Sequence, residues 1–127
     1  MQLTKNLIYI FFACFILQAC YYDVEEELYP TTGACDTTNV TLISTVRPIL
    51  KMYCYVCHST ANATSSGAGI DLENYTTLAV QASNGQLVNS INHTGGIPPM
   101  PKGASSKIPS CDILKIEQWV KMGYKNN

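Results

Sequence analysis

The chain has 127 residues, enough for one domain. Its formal charge of −1 gives no basis for nucleic-acid binding. Hydrophobic residues make up 46% of it, a globular share that the apolar N-terminus inflates. Asp23, Glu25, Glu26 and Glu27 form an acidic cluster, whereas from Cys35 onward seven bases stand against five acids. The body is therefore mildly basic and the segment leading to it acidic.

Met1 to Lys5 is a short polar start with one positive charge, followed by an apolar run from Leu7 to Leu17. That run is shorter than the ~20 residues a bilayer span needs and has the length of a signal-peptide hydrophobic region. Leu17-Gln18-Ala19-Cys20 follows directly. It resembles the bacterial lipoprotein processing box, with Gln18 where a small residue is usual. The resemblance implies cleavage before Cys20, acylation of its thiol and amine, and a multi-chain lipid anchor of the kind that holds stably to a membrane. It implies a bacterial cell envelope. The acidic run is similar to surface-export signals of some lipoproteins, so periplasmic and surface-facing placements both stay open. Residues 21–34 show no sustained periodicity and read as an extended tether. The expected organisation is a signal peptide at 1–19, a lipid-anchored acidic linker at 20–37 and a domain at 38–127.

Val46, Ile49, Leu50 and Tyr53 fall at helical spacing and predict a helix over 45–53. Ser44 is the expected N-cap, which puts Pro48 near the first turn, where a missing amide is tolerated. Directly after it stands Cys54-Tyr55-Val56-Cys57-His58, the C-x-x-C-H pattern of covalent haem attachment. Two intervening residues bring both thiols onto one helical turn, at the spacing of the haem vinyl groups. The adjacent imidazole then lies under the ring, where Nε2 can bind iron. A thioredoxin-like redox pair would want alternating strands and helices, and a zinc site would want four ligands; the sequence supplies neither.

Gly and Ser dominate residues 59–69, which read as a loop. Helices are expected over 74–82 and 86–90, separated by the turn signal Asn84-Gly85. Two candidate sixth ligands follow, His93 and Met100. Met100 sits in Ile97-Pro98-Pro99-Met100-Pro101-Lys102. Prolines stiffen such a loop, and a soft sulfur ligand favours reduced iron. His93 reads chiefly as a polar loop residue lining the same pocket, and otherwise as the alternative ligand. Met52 and Met122 lie in predicted helices and are expected in the core. The last predicted helix runs over 111–122, with Ser110 as N-cap, Asp112 in its first turn and Gly123 at its end. Ile113, Ile116 and Val120 share one face of it, with Trp119 beside them.

Six cysteines are present. Cys14 falls in the expected signal segment, Cys20 is the lipid site, and Cys54 and Cys57 belong to the haem motif. Cys35 and Cys111 remain. An exported protein meets an oxidising compartment, so these two are expected to form a disulfide joining the domain's start to its last helix.

Taken together, residues 38–123 resemble a small class I c-type cytochrome. The resemblance rests on Cys54–His58, on the Pro99-Met100-Pro101 loop and on the aromatic-bearing last helix. It implies an all-α fold around one covalently attached haem c, with first and last helices crossing near the haem edge and Trp119 as a packing residue. It implies Cys54 and Cys57 as thioether donors, His58 as proximal ligand and Met100 as distal ligand. Iron with both axial positions filled passes electrons and binds no substrate. The implied function is electron transfer with envelope redox partners, with Lys51, Lys102 and Lys107 available for docking. Two alternatives stand beside it: a haem-bearing accessory subunit of an envelope complex, and an open-iron peroxidase or sensor.

Overall fold

The structure is a computed structural model that describes residues 35–127. The expected signal peptide, Cys20 and the acidic run lie outside the described residues. The chain over 35–127 is all-α, with no strand among the described residues.

Helix formation begins earlier than the apolar spacing suggests, at Leu42. Thr41, in extended backbone, is the cap: its hydroxyl accepts from the Ser44 amide at 3.2 Å. Ser44 is thus the capped residue and not the cap. Leu42–Val46 is a π-helical turn, with the Val46 amide on the Thr41 carbonyl and the Arg47 amide on the Leu42 carbonyl. Pro48 accounts for this width. It has no N–H to donate, and its ring crowds the carbonyl four residues back. Shifting the bonding by one residue in the turn just ahead of it relieves that conflict. Helix α1, Arg47–Tyr53, continues from there, and α2, Tyr55–His58, adds one more turn beyond Cys54.

Helix α3, Tyr75–Ser83, starts at Asn74, whose side chain accepts from the amides of Thr76 and Thr77. Gly85, at φ +78°, turns the chain into α4, Gln86–Asn92. Only a residue tolerant of left-handed backbone fits that junction. Helix α5, Ser110–Lys121, already includes Ser110, and Pro109 occupies the cap position with no side-chain bond.

α3 packs on α4, α4 on α5, and α5 returns to the opening π-turn. The core lies where they meet: Leu42, Val46, Leu50, Leu78, Ile91, Ile116 and Trp119 are all but fully buried. Two expectations fail here. Met52 is 70% exposed and Met122 is exposed as well. Met52 lies outside the stripe made by Val46, Ile49, Leu50 and Tyr53, and Met122 follows α5 where the chain leaves the core.

The tail completes the packing. Trp119 Nε1 donates to the Lys125 carbonyl at 2.9 Å, and Tyr75 Oη to the Tyr124 carbonyl at 3.2 Å. The amides of Leu42 and Ile43, free donors of the opening turn, are taken by the Asn127 side chain and carbonyl at 3.1 and 2.9 Å. Tyr124 meets Trp119 edge-on, centroids 6.4 Å apart. Among the described residues no helix is long and apolar enough to cross a membrane.

Cys35 and Cys111 form the expected disulfide, with Cα atoms 5.4 Å apart across a separation of 76 residues. A crosslink over so long a loop removes much entropy from the unfolded chain. The Cys35→Ala/Cys111→Ala double variant is expected to lose about 4 kcal/mol in denaturant unfolding. A loss near zero would mean that the pair does not constrain the unfolded state.

Candidate functional site

Cys54 ends α1, and Cys57 and His58 lie in the single turn α2. The His58 amide bonds the Cys54 carbonyl at 2.8 Å, so the helical ladder runs through the motif and fixes the three side chains relative to one another. Both thiols are free of disulfide. Burial pushes the Cys54 thiol up to about 11, so it stays protonated at neutral pH.

The imidazole of His58 is held from the following loop. Its Nδ1 lies 2.9 Å from the Ile70 carbonyl. A carbonyl only accepts, so Nδ1 carries the proton and Nε2 is left as a lone-pair donor, the usual arrangement of a metal-binding histidine. The Leu72 amide also reaches the His58 carbonyl, at 2.8 Å. Residues 70–72 therefore grip both the ring and the backbone of His58.

Gly67 lets this happen. A Cβ there would stand 2.6 Å from the Cys57 carbonyl and 3.0 Å from His58 Nδ1. The first contact is to backbone, which cannot swing aside. The composition of 59–69 marks a loop, but only the folded chain shows that one glycine in it must be bare for the imidazole to be oriented.

The second half of the site comes from the segment after α4. The Met100 amide donates to the Ser90 carbonyl at 3.0 Å, and the Met100 carbonyl lies 3.0 Å from His93 Nε2. The Met100–Pro101 peptide is cis. His93, expected to line the pocket, does not: its ring turns to the Met100 backbone, and its own backbone is left-handed at φ +56°.

Cys54, Cys57, His58 and Met100 all line one cleft of about 450 Å³, inside the ~300–1,000 Å³ range of small-molecule and cofactor sites. Leu72, Leu87, Ile91, Ile97 and Pro98 give it apolar walls, and Gln81, Gln86, Ser90 and Lys102 supply a few polar groups. Lys51 and Lys107 are exposed and lie elsewhere on the surface. Among the described residues no three His, Cys, Asp or Glu side chains gather as a metal site. Within the motif, the buried Tyr55 hydroxyl has no hydrogen-bond partner, and burial raises its pKa.

No family model matches this chain, and no curated protein or solved structure matches it either.

Two substitutions probe this arrangement. Gly67→Ala is expected to cost about 1–3 kcal/mol in thermal or denaturant unfolding, because the new methyl meets backbone. An unchanged stability would mean that the approach to Cys57 is looser than described. Tyr55→Phe removes a hydroxyl with no partner and is expected to be neutral or to stabilise by about 1 kcal/mol in the same measurement. A clear loss would reveal a partner for that oxygen.

Proposed function

We propose that this protein is a monohaem c-type cytochrome that carries electrons at a bacterial cell envelope, held to the membrane by lipid on Cys20. One observation carries the reading: the two thiols and the imidazole of a C-x-x-C-H motif line the same apolar cleft as a methionine from a proline-rich loop. The all-α architecture is consistent with a small cytochrome c-like fold.

The residues present fit a flat, largely apolar macrocycle with two edge attachments. Cys54 and Cys57 would hold it, each thiol adding S–H across one vinyl double bond to leave a thioether. His58 Nε2 would bind the iron, its ring orientation fixed by the Ile70 carbonyl. The Met100 thioether, lining the same cleft, would supply a second iron ligand. When bound, haem supplies a one-electron ferric–ferrous couple. The chain's own contribution is to exclude water with Leu72, Leu87 and Ile91, and to offer a sulfur ligand that favours the reduced state. An open-iron peroxidase would need an acid–base group in the cleft. His93 stands outside its lining.

The test is the visible spectrum of protein exported in a host that attaches haem c, recorded oxidised and then dithionite-reduced. Covalently held low-spin haem with a weak long-wavelength sulfur-to-iron band is expected, and Met100→Ala is expected to abolish that band. High-spin haem in the unaltered protein would instead indicate an open iron. Absence of covalent haem from a competent host would overturn the reading.

A further inference from the structure

We infer that His93 is the positioning residue for Met100, its ring holding the peptide group from which the thioether enters the cleft. The inference rests on the reading of Met100 as an iron ligand. Met100 belongs to no helix, so nothing repetitive fixes its backbone. Two hydrogen bonds do so instead. Its amide is tied to the Ser90 carbonyl, and its carbonyl receives His93 Nε2 at 3.0 Å. Because a carbonyl has no proton to give, the imidazole is the donor. The His93 amide also reaches the Ser90 carbonyl, at 3.3 Å. The end of α4 thus anchors Met100 on both sides of its Cα, and only the side chain is left to reach inward.

The backbone of His93 supports the assignment. It sits at φ +56° immediately after α4, a left-handed position that glycine or asparagine ordinarily fills at a helix end. A ring there gains no burial, since His93 is exposed. What this side chain does at that position is reach Met100. The intervening residues form a tight excursion: Gly95 and Gly96 both have positive φ, and the Thr94 amide bonds the Asn89 carbonyl at 2.9 Å. The loop is closed at its base by residues 90, 93 and 100, and of the two groups that bond the Met100 peptide backbone the His93 ring is the side chain.

Exogenous imidazole competes with the methionine for ferric iron, so titrating the holoprotein with it measures how firmly Met100 is held. The sulfur-to-iron band is the readout. His93→Ala is expected to lower the half-displacing concentration about three- to ten-fold, the worth of one exposed hydrogen bond. His93→Gln keeps a side-chain N–H donor and is expected to restore most of the difference. Unchanged displacement in His93→Ala would overturn the assignment. So would a weakened His93→Ala that His93→Gln leaves equally weak, which would make the ring a space-filler and not a donor. If the unaltered protein lacks the band and Met100→Ala leaves the spectrum as it was, the ligand reading itself has failed and the positioning role falls with it.

Discussion

The bond from His58 Nδ1 to the Ile70 carbonyl is the constraint around which the rest of the site is arranged. It decides which imidazole nitrogen keeps its proton, and so which one faces the cleft. It requires residues 70–72 to run close beside α2, which in turn leaves no room for a side chain at Gly67. The strap is secured further along. The Asp71 carboxylate accepts from the amides of Glu73 and Asn74, and Glu73 reaches back to the Thr60 amide at 3.1 Å. Asn74 then opens α3, so the geometry imposed at His58 passes directly into the start of the next helix.

On the other side of the cleft the device differs. α4 is short, and its end carries the loop that delivers Met100. Its inner face is fixed by Leu87 and Ile91, both buried, and both also line the cleft. The same two side chains therefore serve the core and the cavity wall. The apolar environment of the site is an extension of the packing that holds α3, α4 and α5 together.

Helical periodicity makes much of this readable in the sequence. Val46, Ile49 and Leu50 are buried as the spacing predicts, as are Ile113 and Ile116, and Asn84-Gly85 does separate α3 from α4. What escapes has particular causes. Pro48 is consistent with a helix start, yet the chain solves its missing amide by widening the turn ahead of it. The cap therefore moves back to Thr41. Met52 is apolar and helical, which suggests a core residue, but its angle about α1 puts it outside the stripe. The Asn127 and Lys125 contacts use backbone atoms, and the Asn127 pair joins opposite ends of the domain, which no side-chain pattern encodes. At the site, Cys54, Cys57, His58 and Met100 are legible as candidates because their chemistry is specific to residue type. The roles of Gly67, Ile70 and His93 are not, because each acts on a backbone or ring atom of another residue across a turn whose path must be known first.

The grip on His58 is assembled from nearby chain. Residues 54–72 contain both thiols, the imidazole, the glycine beside it and the carbonyl that orients it. Met100 and the disulfide partner Cys111 come much later. Closing a short loop costs less entropy than closing a long one, and local contacts form sooner than distant ones. Loop entropy thus favours a half-built cleft early in folding, its Cys54–His58 side formed while its methionine side is yet to arrive. In that order the cleft stays open on one face until the proline-rich loop closes it.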